Sequence, residues 1–197
     1  MPVMSAVERT FCRNPLWGAA AARLVLPRAV RGARLGGDVL EIGAGAGSMA
    51  GELARRFGDI RLTVTDLDPV MVGSARRRLG DRATVTAADA TALPFAHGSF
   101  DVVLSFLMLH HVVRWEDALG EVARVLRPGG TLVGYDLLDT APSRFVHAVD
   151  RSPVRLIRHD AFAPALAAAG LEPTRVTRAL AGSLIRFTVT KPEGDAP

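Results

Sequence analysis

The chain is poor in residues that build several common sites. Its 197 residues include 1 cysteine, Cys12, which forms no internal disulfide and no thiolate metal cluster. That scarcity fits a reducing compartment, so a cytoplasmic location is expected. Lysine is nearly absent, with Lys191 alone, so arginine carries the net charge of +4. The arginines are scattered, and Arg76-Arg77-Arg78 falls in a predicted helix where a solvated face explains it. Nucleic-acid binding is therefore not expected. No apolar stretch approaches the roughly 18 residues a membrane span needs. Residues 16–26 are rich in alanine and leucine, but Arg23 interrupts them and no small-residue cleavage site follows. That argues against a signal peptide. Internal repeats and dividing linkers are also lacking, and the length suits one buried core.

What stands out is an apolar run that breaks into alternate glycines, Val39-Leu40-Glu41-Ile42-Gly43-Ala44-Gly45-Ala46-Gly47. A buried parallel strand feeding a tight turn reads this way. Ser48 then starts a helical pattern, with Met49, Leu53 and Phe57 on roughly one face. Strand, glycine turn and helix N-terminus together make a cofactor cradle. Glycine lets the main chain approach a ligand, and the first turn offers unpaired N–H groups. The spacing excludes two common versions. A dinucleotide fingerprint needs a glycine at its sixth position, where Ser48 stands, and no Gly-Lys-Ser/Thr ending marks a phosphate loop.

Further strands and helices follow in alternation. Asn14-Pro15 starts a helix that ends near Pro27, and residues 28–38 form a short basic helix or loop. Arg61 to Thr65 is a strand ending at Asp66. Asp68-Pro69 then caps a helix with Val72, Ala75 and Leu79 inward. Asp66 thus falls at the carboxyl end of a strand neighbouring the first, on the ligand side. There a carboxylate can accept bonds from both hydroxyls of a ribose. Residues 83–87 are a third strand, and Ala88-Asp89-Ala90-Thr91-Ala92-Leu93-Pro94-Phe95 follows. Residues 102–105 are a fourth, continued by Phe106-Leu107-Met108-Leu109-His110-His111-Val112. A helix over residues 115–126 leads through Arg127-Pro128-Gly129-Gly130 to a fifth strand over residues 131–135. Residues 136–159 are the least patterned. Residues 160–169 form a last helix, and residues 174–181 and 184–190 form an antiparallel pair.

Glu41-Ile42-Gly43-Ala44-Gly45-Ala46-Gly47, Asp66, the Ala-Asp-Ala and Leu-Pro-Phe pieces, Leu-His-His-Val and Val125-Leu126-Arg127-Pro128-Gly129-Gly130-Thr131-Leu132 together resemble the class I S-adenosylmethionine-dependent methyltransferases, in particular the quinone, sterol and natural-product group. The resemblance implies a Rossmann-like α/β sandwich. Its seven-stranded, mostly parallel sheet would have the order 3-2-1-4-5-7-6, with helices on both faces. It also implies a helical cap over residues 1–36 and a cofactor domain over residues 37–191. Within that domain, residues 136–159 would be a substrate-side insertion, and residues 192–197 a tail. S-adenosyl-L-methionine is the implied cofactor. Glu41, Gly43, Ala44, Gly45 and Gly47 would form one wall, and Asp66 would bind the ribose beside Leu67. Asp89 would accept the adenine amino group next to the Ala90 main chain, and the Ser105 or Phe106 carbonyl would accept the cofactor amino group. Leu67 and Met71 are candidates for the wall against the ring, or for core.

For the acceptor side the resemblance points to Phe11, Cys12 and Trp17 of the cap, though Trp17 packing on the sheet is the simpler reading. Asp136 and Arg144 are candidate substrate-binding residues. His110 and His111 are candidate general bases, with His111 at the more typical family position. Adjacent residues on a helix diverge by about 100°, so one of the two is expected to face the cleft. No ligand set calls for a metal. The expected reaction is methyl transfer to an oxygen, nitrogen or carbon of a small or lipid-like molecule by in-line attack. Methylation of RNA or protein, or a non-catalytic cofactor-binding module, are the alternatives. Peripheral contact with a membrane stays open, and a monomer or homodimer is expected.

Overall fold

The computed structural model describes residues 14–150 and 154–194. In chain order the elements are α1 (Pro15–Leu24), α2 (Leu26–Ala29), β1 (Gly37–Ile42), α3 (Ser48–Arg56), β2 (Ile60–Asp66), α4 (Pro69–Leu79), β3 (Thr84–Ala87), β4 (Phe100–Phe106), α5 (Trp115–Val125), β5 (Leu126–Leu137), α6 (Ala141–Asp150), α7 (His159–Ala168), β6 (Glu172–Ala179) and β7 (Leu184–Thr190). The strands form one sheet of order 3-2-1-4-5-7-6, as the family resemblance implied. β1 to β5 run parallel, and β7 pairs antiparallel with both β5 and β6.

The central strands are apolar along most of their length because both faces are covered. Val39, Leu40, Ile42, Val103 and Leu104 are wholly buried. On one face Trp115, Leu119 and Val122 of α5 pack with Phe162 and Leu166 of α7. On the other, Leu26 of α2, Leu53 of α3 and Ala75 and Leu79 of α4 pack against the same sheet. Local chemistry sets the helix starts. The Asp68 carboxylate accepts from Val70 N–H at 2.8 Å, with Pro69 in the first turn of α4.

Two elements differ from the sequence reading. Helix α5 stops at Val125, and Leu126 already belongs to β5, paired with Phe100 ahead of a register shift. Tertiary bonds hold this stretch extended. Arg127 reaches Asp38 at 2.9 Å and Asp101 at 2.7 Å, and Lys191 Nζ donates to the Leu126 carbonyl at 2.8 Å. The poorly patterned stretch after β5 contains α6. Its start resembles an N-cap, with the Thr140 hydroxyl 3.4 Å from Ser143 N–H and Pro142 in the first turn. Its apolar residues gave no inward period, since Phe145 and Val146 are 73% and 59% exposed.

At the amino end, α1 crosses the start of α3. A Cβ on Gly18 would fall 2.3 Å from Ser48 Oγ, so the two helices touch where the glycine turn ends. Phe11 and Cys12 lie outside the described residues, as does the side chain of Trp17. Among the described residues, no helix is long and apolar enough to cross a membrane.

Leu104→Ala should lower unfolding free energy by about 2–5 kcal/mol, because the cavity opens in the central strand between two packed layers. Leu180→Ala, at a position 72% exposed, should stay within about 0.5 kcal/mol of the parent. Urea denaturation of the two variants checks the contrast, and equal losses would contradict this placement of the core.

Candidate functional site

β1 ends at Ile42 and the chain turns at Gly43, whose φ is +61°. A Cβ there would lie 1.9 Å from Met108 Cγ, so the residue after β4 packs directly on the glycine turn. Gly47, with φ +75°, caps α3, and a Cβ there would lie 3.3 Å from the Ala75 main chain. Hydrogen bonds tie this loop to β2. Ala44 N–H donates to the Thr65 carbonyl at 2.9 Å, and Gly45 N–H donates to Asp66 Oδ2 at 2.8 Å. Ala88 N–H donates to the Asp66 carbonyl at 3.0 Å. The carboxyl ends of β1, β2 and β3 are thereby stitched into one rim.

Two acids sit inside that rim. Glu41 is 1% exposed, and among the described residues its Oε2 has no hydrogen-bond partner. Burial, and then the charge of Asp66, push its carboxyl up to about 8. Asp66 is 9% exposed and is also raised by burial, although the N–H groups of Asp68 and Gly45 pull the other way. A buried acid with an unbonded oxygen beside a second acid is a ready place for a cation. Asp89 stands one strand farther out and accepts from Thr91 N–H at 2.8 Å and Thr91 Oγ1 at 2.7 Å. Partial burial works against its charge, yet these bonds leave its carboxyl below the usual range. Leu67 is half-buried and Ala90 buried beside these acids. Met71 is wholly buried, so of the two wall candidates it belongs to the core. The Phe106 ring packs at 5.5 Å on Tyr135, which ties the end of β4 to β5. These features suit an adenosyl cofactor with a cationic tail: a close-approach glycine loop, acids at two strand ends, and an orphaned buried carboxyl oxygen that a nearby cation would ionise.

Beyond β4 the chain turns through Leu107, at φ +52°, into a short helical turn over Leu109–His111. Asp136 was expected to face substrate. Instead it is fully buried and saturated by its own chain. Oδ2 accepts from Met108 N–H at 3.1 Å and Leu109 N–H at 2.8 Å. Oδ1 accepts from Leu137 N–H at 2.7 Å and meets His110 Nδ1 at 2.5 Å. Its role is to position the turn, because a carboxylate at that depth must find donors nearby. His110 is buried with it, while His111 is half-buried.

A third histidine joins the pair. His147 of α6 lies 5.0 Å from His110 and 5.9 Å from His111, ring centre to ring centre, and His110 and His111 lie 4.0 Å apart. Sequence spacing gave no sign of this, because His147 arrives from a helix 36 residues after His111. His147 also lines a cavity of about 480 Å³ with Trp115, Arg144, Ala148 and Leu156. Contacts thus lead from Gly43 to Met108, through Asp136 to His110, and on through His147 to this cavity. Arg144 faces it as an exposed side chain, 3.4 Å from Asp139. Arg155 and Arg158 are likewise matched, to Glu116 at 2.6 Å and Asp160 at 2.7 Å. The arginines around the cavity are therefore neutralised rather than offered to an anion. Among the described residues, no group of three histidine, cysteine or acidic side chains is arranged to hold a metal.

Comparison with known proteins agrees with this geometry. A family model described as a methyltransferase domain matches residues 40–134. Demethylmenaquinone methyltransferase of Clavibacter sepedonicus is 34% identical over 182 residues, covering 82% of this chain and 68% of that protein. Pyochelin synthetase of Pseudomonas aeruginosa is 35% identical over 173 residues, covering 85% of this chain; the chain spans only 12% of the synthetase's length. A chain of the complex between a Haloferax volcanii methyltransferase activator and a candidate methyltransferase superposes with a TM-score of 0.83 at 18% identity, covering 96% of this chain and 99% of that one. That likeness establishes the fold.

The Glu41 carboxyl predicts a pH-dependent stability. Its ordinary value is 4.5, and in the folded chain it is about 8. Between those values the unfolded chain has lost this proton while the native chain keeps it. Stability is therefore lost as pH rises through this window, and the loss levels off above about 8. Glu41→Gln removes the titration. Its advantage in urea midpoint over the parent should grow from about pH 5 to about pH 8. A constant gap would show that Glu41 ionises normally.

Proposed function

Because the chain belongs to the class I S-adenosylmethionine-dependent methyltransferases, we propose that it moves a methyl group onto an oxygen, nitrogen or carbon nucleophile of a small or lipid-like molecule. The observation that carries the reading is the buried Glu41 oxygen without a partner, set beside Asp66 at the rim of the glycine turn. In this reading Asp66 takes the ribose hydroxyls, with Leu67 against the base. Asp89 and the Ala90 main chain hold the adenine edge, and Gly43, Ala44, Gly45 and Gly47 give close approach. Glu41 and the Phe106 carbonyl receive the cationic amino end. When bound, the cofactor supplies a methyl carbon already activated by its sulfonium charge.

The remaining tasks fall to the chain's own side chains: aligning the nucleophile, excluding water and removing a proton. Asp136 fixes His110 through Nδ1, which leaves Nε2 as the basic nitrogen of the neutral ring. We assign the general base to His110, with His111 and His147 beside it. The cavity next to His147 falls within the roughly 300–1,000 Å³ of small-molecule sites. Phe145 and Val146, exposed on the same helix, suit a lipid-like acceptor. The likeness to a demethylmenaquinone methyltransferase supports the same substrate class. Residues 1–36 act as a cap on the cleft, and Phe11 and Trp17 remain candidate acceptor contacts. A cytoplasmic monomer or homodimer, touching a membrane peripherally where its substrate resides, completes the reading.

Asp66→Ala should weaken S-adenosylhomocysteine binding at least tenfold by calorimetry, with an unchanged circular-dichroism spectrum. Unaltered affinity would remove Asp66 from the cofactor site. With a quinol-type acceptor, His110→Gln should lower kcat by about 100-fold or more while cofactor affinity stays near the parent value. If His111→Gln lowers kcat instead and His110→Gln does not, the base is His111. If neither does, proton removal needs no histidine here.

A further inference from the structure

A second cationic feature lies away from the cleft, on the face of the sheet covered by α2. Between α2 and the β6–β7 ribbon runs a groove of about 310 Å³, lined by Arg28, Arg31, Arg175 and Arg186 together with Thr177 and Thr188. Among the described residues, no carboxylate lines it. Strand register explains how the ribbon side is built. Arg175 stands opposite Thr188 and Thr177 opposite Arg186, so arginine and threonine alternate diagonally on one face. Arg186 in turn pairs with Tyr135 of β5, at the margin of the core beneath α2.

These arginines differ from most others in the molecule. Arg55, Arg56, Arg61, Arg114, Arg124 and Arg127 each meet a carboxylate, as do the three arginines of the acceptor cavity. Arg76 and Arg78 donate to main-chain carbonyls. Among the described residues, Arg31, Arg175 and Arg186 enter no ion pair, and Arg28 meets only the Leu24 carbonyl. A merely solvated face tolerates mixed signs. Here the charge is of one sign and gathered in a concave site, where mutual repulsion is screened in part by solvent and relieved further by a bound anion. Guanidinium forks match the paired oxygens of a phosphate, and the two threonine hydroxyls add donors of the same kind.

We propose that this groove is an anion site for a phosphate group, separate from the cofactor and acceptor cleft. The phosphate can arrive on a soluble phosphorylated molecule or on a phospholipid headgroup, and both present the same oxygens to the arginines. The site makes no use of the residues assigned to methyl transfer, so the two readings stand or fall separately.

Pyrophosphate titrated calorimetrically into the full chain at low salt is the first probe. The parent should bind it, and Arg175→Gln/Arg186→Gln should bind at least tenfold more weakly. S-adenosylhomocysteine affinity, measured on the same samples, should be equal in both and so report an intact fold. Co-sedimentation with phosphatidylcholine vesicles, with and without phosphatidylglycerol, separates the two sources. Phosphatidylglycerol-dependent sedimentation that the double variant loses and pyrophosphate competes away identifies a lipid headgroup. Pyrophosphate binding without sedimentation identifies a soluble ligand. If the parent binds neither probe, or the double variant matches it, the proposal is wrong. Binding confined to RNA would overturn it as well.

Discussion

The Asp136 carboxylate holds together the part of the molecule on which the candidate site depends. It lies at the end of β5, fully buried, and takes three main-chain N–H groups and one imidazole nitrogen. Two of those amides belong to the chain leaving β4, where the turn through Leu107 takes them out of the sheet ladder. Without the carboxylate they would be buried donors with nothing to accept them. Leaving a buried donor without its acceptor costs about 1–3 kcal/mol per group. Through these bonds Asp136 keeps Met108 seated on Gly43, so the glycine turn of β1 and the exit of β4 are one rigid assembly. The same carboxylate selects the ring orientation of His110.

Charge is distributed by depth. Glu41, Asp66 and Asp136 are buried at the carboxyl edge of the sheet, while most arginines lie outside and are matched by surface acids. Asp136 is satisfied internally, whereas Glu41 keeps an oxygen without a partner. That contrast separates an acid whose bonds are all made within the chain from one with an oxygen left unbonded. A buried acid raised to about 8 costs native stability near neutral pH, and a function at that position is the physical reason to carry the cost. The arginine groove beside α2 shows the same imbalance in the opposite sign, with donors gathered and no acceptor supplied.

Much of this was legible in the residues. Continuous apolar strands, alternate glycines and the Asp68-Pro69 helix start located the strands and put Asp66 at a strand end, and the family resemblance implied the seven-stranded order that the sheet has. Each of those signals is local, since a few consecutive residues carry the whole physical cause. The errors fell where the cause was distant. Leu126 looks helical by periodicity and is drawn into β5 by pairing with Phe100 and by Lys191 from the other end of the chain. Helix α6 was hidden because its apolar residues point outward, where no period marks a buried face. Asp136 looked like a strand-end acid aimed at ligand, and only the folded path of Met108 and Leu109 turned it inward.

Sequence alone therefore determined the strands, the glycine turn and Asp66 at a strand end, because hydrophobic period, turn chemistry and strand-end position are properties of neighbouring residues; the order of the strands followed from the family resemblance. Tertiary structure decided which acids are satisfied and which are not. It also decided that His147 joins His110 and His111, and that arginines from α2, the turn after it, β6 and β7 converge. Those outcomes depend on burial and on side chains far apart in the chain, and neither is written in the spacing of residues along it.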